Sequence, residues 1–365
     1  MIGGGLIAQL VHLPLLRADG GRFAVAALAD PSERVRRALA DRHGIAATYG
    51  DYRALLEQPL DAVVVCAPNG LHAEIVLAAL DAGTNVLVEK PLCLTEADAE
   101  RIVERQRDTG LVVQVGYMKR FSPAYEAMAV DVALADPGVR LVSSVTVDPV
   151  LARHFTPRDF VAADDIPASA RTAAAIATAA QVAEATRSDD PSHVEPYSAA
   201  FLGALIHDVN AVHGVLGAGA FGVLDAFLDP AGRTAGGTVA LPGGGRWSMA
   251  WLLLAGAGPF SEEIRVLADE GEWRLRLPAP YLRQAPATYR CERRSERGGW
   301  HSRSEASYAD PYARQLEHFH ACVTAAEPCR TPASQAREDV ALLARLFRAG
   351  LEAGADRMST PRVDT

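Results

Sequence analysis

From residue 23 to residue 115, short apolar runs alternate with segments of helical pattern, and that alternation commits this stretch to a doubly wound parallel sheet. Strands are expected at 23–29, ending near Tyr49, at 61–66, at 85–90 and at 111–115. Helices are expected at 6–17, 32–43, 51–57, 72–82 and 95–109. Runs such as Val63-Val64-Val65 and Val86-Leu87-Val88, bounded by turn signals, suit strands covered on both faces. A strand of about five or six residues should also precede the first helix. Only Met1 and Ile2 stand before Gly3-Gly4-Gly5, so the expectation is a native start upstream of Met1, or else a stub at the centre of the sheet.

Open parallel sheets bind ligands outside the carboxyl ends of their strands, so the residues there are the candidates for chemistry. Gly3, Gly5 and Ala8, with Leu6 and Ile7 between, fit G-x-G-x-x-A. Glycines allow a tight turn and close approach to a pyrophosphate, which the following helix N-terminus attracts. A merely flexible start is the other reading of so short a pattern. Asp30 ends the next strand, where an acid holds the ribose hydroxyls. It lies 27 positions after Gly3, beyond the usual spacing of roughly 20. It can equally cap the helix that follows, or do both. An acid here favours NAD over NADP, because a 2′-phosphate would meet like charge; the nearest arginine is Arg34.

Glu89-Lys90-Pro91 ends the strand that begins at Asn85. Pro91 restricts Lys90 to extended backbone and stops the strand. Removing a hydride from an alcohol requires its proton to be taken and the growing alkoxide charge to be stabilised. An ammonium does the second, and Lys is more adaptable there than the bulky, permanently charged fork of Arg. The competing reading is a surface Glu-Lys pair before a loop proline.

Net charge is −9, and no Lys/Arg stripe is present, which argues against nucleic acid as a partner. No apolar run approaches bilayer length and no secretory signal is visible, so neither a membrane role nor export is expected. Five cysteines without a CxxC fit reduced thiols in a cytoplasmic protein, with no metal site.

From about Val139 the pattern changes. Residues 140–147 read as a strand, 148–166 as loop, 167–187 as an alanine-rich helix and 188–192 as a linker. The insertion 148–196 is either a surface excursion or a lid over substrate. A helix over 201–210 turns Leu205, Val209 and Val212 inward and sets His207 and Asn210 on one face. His207 is either functional or simply satisfied by backbone and solvent; His213 is assigned to packing or surface. Strands at 221–227, 237–241, 246–254, 262–269 and 272–277 come next, with a hairpin turn at Asp269-Glu270-Gly271. Trp247, Trp251 and Trp273 are candidates for an apolar interface, 293–303 for exposed loop, and 334–353 for a last helix with Val340, Leu343 and Phe347 at core spacing.

Taken in order, Gly3-Gly4-Gly5-Leu6-Ile7-Ala8, Asp30, Ala67-Pro68-Asn69 with His72, Ala82-Gly83, Glu89-Lys90-Pro91 and Gly116-Tyr117 with Arg120-Phe121-Ser122-Pro123 resemble the glucose–fructose oxidoreductase/inositol dehydrogenase family (Gfo/Idh/MocA). The resemblance covers about residues 2–125, with a fainter echo at Tyr312, His318-Phe319 and Glu327-Pro328. It implies a Rossmann domain over 1–122. It also implies an α/β domain with an open, mainly antiparallel sheet over 123–365, whose last helix packs back on the first domain. It further implies NAD(P)-dependent oxidation or reduction of a sugar, aminosugar or cyclitol, in a homodimer or homotetramer formed through the C-terminal sheet. By the same resemblance Pro68, Asn69, His72, Glu89 and Lys90 line the cofactor, and Lys90 contacts the reacting oxygen. His207 is then the general acid/base, and Tyr117, Lys119, Arg120 and Asn210 shape the substrate site. Two departures stand out: the family often carries Asp four residues before that histidine and another three after it, where this chain has Gly203 and Asn210. Two alternatives remain on the same scaffold. One is an NAD-retaining glycosidase or lyase that works by transient oxidation, distinguished by the absence of net NADH. The other is a non-catalytic nucleotide-sensing regulator, which would not need Lys90.

Overall fold

The computed structural model describes residues 1–135, 138–149, 159–219, 221–229, 231–256, 258–282, 285–294 and 298–359, the side chains of 355–359 apart. His154 and Arg158, both in the expected insertion, lie outside these residues. The chain forms two units. One holds Met1–Met118, Ala152–Gln181 and Pro311–Arg337; the other holds Lys119–Leu151, Val182–Asp310 and Glu338–Thr365. The first break falls after Met118 rather than after 122, and two later segments return to the first unit.

The first unit is built on five short strands: β1 (Ala27–Ala29), β2 (Ala47–Tyr49), β3 (Ala62–Val65), β4 (Asn85–Val88) and β5 (Val113–Val115). Its helices are α1 (Leu13–Ala18), α2 (Glu33–His43), α3 (Tyr52–Leu56), α4 (His72–Asp81) and α5 (Glu96–Thr109), with a π-helical turn Ala8–His12 leading into α1. β1 pairs in parallel with β2, and β3 with β4 and then β5. The gap between β1 and β3 is filled by Ile2, which bridges Ala29 on one side and Val65 on the other, both in parallel. Ile2 N–H donates to Val64 O at 2.9 Å, Cys66 N–H to Ile2 O at 2.7 Å, and Gly3 N–H to Ala29 O at 2.8 Å. With Ile2 as its first strand, the sheet has the order 3-2-1-4-5-6 of a dinucleotide-binding fold. In this chain Ile2 thus stands in the place of the central strand, and backbone hydrogen bonds on both edges hold it. Strand 23–29 shortens to three residues for a related reason: only Ala27, Leu28 and Ala29 find a ladder partner in β2. One core of this unit gathers Val11, Leu16, Leu28, Leu39 and Leu87 with Leu316 and Phe319.

The second unit carries an eight-stranded sheet in the order β13-β12-β11-β10-β6-β9-β8-β7. Its strands are β6 (Val139–Asp148), β7 (Gly222–Leu228), β8 (Thr234–Ala240), β9 (Arg246–Leu253), β10 (Ser261–Ala268), β11 (Gly271–Leu277), β12 (Ala287–Arg294) and β13 (Trp300–Ser307). All neighbours run antiparallel except β6 and β9. α6 (Pro123–Ala135) and α8 (Ile206–Leu216) are tied by the Tyr125 hydroxyl, which donates to Ala211 O at 2.9 Å. α7 (Ala168–Thr186) starts in the first unit and ends in the second.

Three expectations are corrected here. Of the loop expected over 293–303, residues 293–294 and 300–303 are instead strand, the end of β12 and the start of β13. The charges of these two strands alternate with Tyr289 and Cys291 and pair along the strands, Arg290 with Glu292 and Arg303 with Glu305, while Arg303 Nη1 also reaches Asp131 Oδ1 of α6 at 2.8 Å. Trp247, Trp251 and Trp273 are buried, so they belong to the core and offer no interface. One helical run, Pro191–Leu216, is long and apolar enough to cross a membrane, contrary to the sequence expectation, and 67% of its apolar window is buried.

The C-terminal elements are α9 (Pro311–Ala325) and α10 (Ala333–Ser359). Thr331 O accepts the Val115 N–H at 2.9 Å, and Pro332 bridges Gln114, so this return covers the β5 edge. Only Ala333–Arg337 of the last helix belongs to the first unit; Phe347 packs edge-on against Tyr197 and Phe201 in the second.

Trp247 is fully buried, with its indole N–H on Ser144 Oγ at 3.0 Å, whereas Leu141 on the other face of the sheet is 38% exposed. Trp247→Ala should cost about 3–5 kcal/mol in urea unfolding, and Leu141→Ala less than about 1 kcal/mol. Equal losses would mean that the inner and outer faces are assigned wrongly.

Candidate functional site

Gly3 sits at φ 91°, and a Cβ there would lie 2.5 Å from Cys66 O, so the turn out of the central strand requires glycine. Gly4, which the sequence pattern treats as a spacer, is equally constrained: its Cβ would meet Val35 Cγ1 at 2.5 Å, and its N–H donates to Asp30 Oδ2 at 2.8 Å. Gly5 is different. Its Cβ would have Cys66 O at 3.9 Å as its nearest neighbour, so the space beside it is open.

That space belongs to a cavity of about 840 Å³, and Gly3, Gly5, Asp30 and Pro68 line it. Asp51, Tyr52 and Arg53 form one wall, and Ala170, Ala174 and Ala177 of α7 form another. Neither wall was singled out from the sequence, because nothing in their spacing carries a signal. Arg53 stacks on Tyr52 with its guanidinium carbon 4.6 Å from the ring centroid, and the Tyr52 hydroxyl donates to Glu74 at 2.7 Å. A dinucleotide needs a tight glycine turn, open space beside it, and an acid at the end of the neighbouring strand; all three surround this one cavity. Leu6, Ile7, Ala8, Asn69, His72, Glu89 and Lys90 are not among its lining residues. Ala8 is fully buried in the core.

Glu89 lies just beyond the end of β4, 8% exposed. Its Oε1 accepts a hydrogen bond from His12 Nε2 at 2.7 Å, which fixes the proton on that ring nitrogen. Its Oε2 accepts the Lys90 N–H at 3.3 Å. Gly116 permits this packing, since a Cβ there would be 3.1 Å from the Glu89 carboxyl. Burial pushes the Glu89 carboxyl up, but His12 and Lys90 outweigh it and hold the group below its ordinary value. Burial, reinforced by the charge of Glu89, keeps the Cys66 thiol protonated. His12 was missed from sequence because its position in the first helix bears no motif.

His72 lies between two carbonyls, with Nδ1 2.6 Å from Pro91 O and Nε2 2.8 Å from Ala67 O. It staples the loop after β3 to the loop after β4 and so positions Lys90. Burial lowers its proton affinity against the pull of those carbonyls. The Lys90–Pro91 peptide is cis. Tyr117 belongs to this first unit and is buried.

The remaining candidates belong to the second unit. Lys119 is buried and paired with Glu262 at 2.6 Å. Asp208 accepts from Thr146 Oγ1 at 3.1 Å; burial, then the charge of Glu262, raises its carboxyl well above the usual range. Asp208 therefore faces the interior and does not replace the acid missing at Gly203. Asn210 is buried and donates to Asp339 Oδ2 at 2.7 Å. His213, read as packing or surface, is buried, stacks on Phe221 and lies 2.6 Å from the other Asp339 oxygen. The structure thus places Asn210 in a buried polar cluster. Arg120 lies beside Tyr125 under Gly214, whose close approach leaves no room for a Cβ. His207 is half-buried at the start of α8.

The carboxylate of Glu89 contributes stability above its unfolded value of about 4.3, and that contribution is lost as pH falls through the lower folded value. Replacing His12 by Ala leaves burial dominant. The Glu89 carboxyl should then titrate above 4.5 by carboxyl-carbon NMR, and its stabilisation should be lost as pH rises instead. An unchanged titration would show that His12 does not control this group.

Comparisons with known proteins bear on the same residues. Residues 1–117 match the Gfo/Idh/MocA family model, described as an oxidoreductase family with an NAD-binding Rossmann fold. A D-xylose 1-dehydrogenase (NADP(+)) from Haloferax volcanii is 42% identical over 118 residues, which is 32% of this chain and 36% of that protein. An inositol 2-dehydrogenase from Paracoccus denitrificans is 37% identical over 163 residues, 43% of this chain and 45% of its own. The matches thus span less than half the length of these relatives. By shape the likeness extends further. A 3-ketoreductase from Actinomadura kijaniata, solved with NADP and TDP-benzene, superposes with a TM-score of 0.70 over 95% of this chain and 96% of its own, at 20% identity. At that identity the fold is what is shared.

Proposed function

We propose that this chain, whose residues 1–117 are a nucleotide-binding domain of the Gfo/Idh/MocA oxidoreductases, moves a hydride between NAD and a hydroxyl or ketone carbon of a sugar, aminosugar or cyclitol. The observation that carries the reading is the cavity that joins the glycine turn, Asp30 and Pro68, with Glu89 and Lys90 following the adjacent strand β4. The residues suit a dinucleotide: Gly5 leaves the space a pyrophosphate needs, and Asp30 keeps lone pairs for ribose hydroxyls beyond the two backbone bonds it accepts. NAD supplies the hydride acceptor when bound.

In the oxidising direction the substrate C–H leaves as hydride, the O–H proton leaves to a base, and the electron pair left on oxygen becomes the second bond of a carbonyl. Lys90 holds its ammonium near that oxygen and stabilises the negative charge as it grows. His207 takes the proton and returns it in the reverse reaction. It works without the acid usual four residues earlier, since that position is Gly203 and carries no side chain. Asp30 at the ribose favours NAD.

The same reading includes a homo-oligomer formed through the outer face of the eight-stranded sheet, where Leu141 and Val145 are each 38% exposed. Val145→Asp should then lower the sedimentation coefficient to that of a single chain, and an unchanged coefficient would place any interface elsewhere.

The decisive assay mixes the protein with NAD and a panel of polyols and follows NADH. Turnover is expected with at least one cyclic polyol. Lys90→Ala should lower kcat by about 10²–10⁴-fold and change NAD affinity by less than about threefold. No NADH with any substrate, or a fully active Lys90→Ala, would sink the reading.

A further inference from the structure

Residues 159–181 stand outside the strand–helix alternation, yet they run along the nucleotide end of the first sheet. Three sets of contacts fix them there. Gln9 exchanges two hydrogen bonds with the Val161 backbone, each 3.0 Å. Gln181 Nε2 donates to Gly70 O at 2.8 Å, in the turn after β3. Between these, Asp164 and Asp165 engage the start of α2. Ile166 and Ala170 then line the same cavity as Asp30.

The contacts at α2 have the form of an anion site that is already filled. Asp165 Oδ2 accepts the Arg34 N–H at 3.0 Å, and its Oδ1 accepts the Ser32 hydroxyl. Asp164 binds Arg34 Nη1 through both oxygens, at 2.7 and 2.9 Å. A helix N-terminus with a hydroxyl and a guanidinium beside it is what a phosphate would seek. Here the chain supplies two carboxylates instead. The spot adjoins the ribose position, because Asp30 Oδ1 accepts the Ser32 N–H at 2.9 Å. In dinucleotide folds the acid at this strand end holds the 2′-hydroxyl of NAD, and a nearby arginine receives the 2′-phosphate of NADP. Arg34 is one arginine near this acid, and Asp164 pairs with it; Arg36, whose Nη1 donates to Asp30 O at 2.6 Å, is another.

We infer that Asp164 and Asp165 determine cofactor choice: they occupy the place of a 2′-phosphate, so the cavity accepts NAD and rejects NADP. This rests on the dinucleotide reading given above. It goes beyond Asp30, because the selecting groups come from a segment remote in sequence and act by filling a site rather than by repelling across it. The structural consequence is that the insertion discriminates as well as covers.

The test is calorimetric titration with NAD and with NADP of the full chain, of Asp164→Ala/Asp165→Ala, and of Asp164→Asn/Asp165→Asn. The asparagine variant keeps the size of the two side chains but removes their charge and turns one acceptor oxygen of each into an NH2 donor. Wild type should bind NAD at least about tenfold more tightly than NADP, the scale of one charge-assisted hydrogen bond. The alanine variant should gain about tenfold or more in NADP affinity and the asparagine variant, which still fills the place, less, while NAD binding persists in both, which also shows that they fold. Adding Arg34→Ala should abolish the gain. NAD binding retained without any NADP gain would overturn this inference and leave the oxidoreductase reading standing. Equal wild-type affinities would overturn it too. If wild type binds neither nucleotide, both fall together.

Discussion

The carboxylate of Asp30 is the point to which the nucleotide end of the first unit is tied. Oδ2 accepts the Gly4 N–H and Oδ1 the Ser32 N–H, so one side chain locks the glycine turn to the start of α2. The turn is possible only because Gly3 adopts φ 91° against Cys66 and Gly4 lies flush with Val35 and Leu39. Ser32 in turn caps α2 by accepting the Val35 N–H at 3.0 Å and donates to Asp165. The glycine turn, Asp30, the helix cap and the distant strap therefore form one connected hydrogen-bond system. A cavity bounded this way is held in shape before a ligand arrives, which lowers the ordering cost of binding.

The second unit treats its polar groups differently, burying them in pairs. Lys119 with Glu262, Thr146 with Asp208, and Asn210 and His213 with Asp339 are all internal. Buried polar groups that find partners specify one packing arrangement, whereas an unpaired one would cost several kcal/mol, roughly. This explains why residues that look like substrate ligands in the sequence can serve the core instead. Lys119 and Asn210 carry functional chemistry, but their partners lie 143 and 129 residues away in the chain.

The first sheet was legible because most of its strands are apolar runs, such as Val63-Val64-Val65, and the helices after β1, β2 and β4 start at the side-chain caps Ser32, Asp51 and Thr95. Asp30, the glycine turn and the Glu89-Lys90 pair were legible because strand ends place them by register. The β12–β13 hairpin was not legible: its charged edge reads as loop until the cross-strand pairing of Arg293 with His301 and Glu292 with Ser302 is seen. The three tryptophans were read as surface because alternation says that a sheet has two faces but not which one is covered. His12 escaped notice because its partner, Glu89, lies 77 residues on.

The sequence by itself determined the order of strands and helices in the first unit, the residues at the ends of those strands, and the antiparallel character of most of the second sheet. These depend on local periodicity and on turn chemistry, which a linear reading contains. Tertiary structure alone decided that Ile2 completes the central strand, that 311–337 returns to cover β5, and that 159–181 supplies two carboxylates to the start of α2. Each of these joins groups more than twenty-five residues apart. Such contacts form where backbone groups or charges lack a partner nearby, and only the folded chain shows which distant segment provides one.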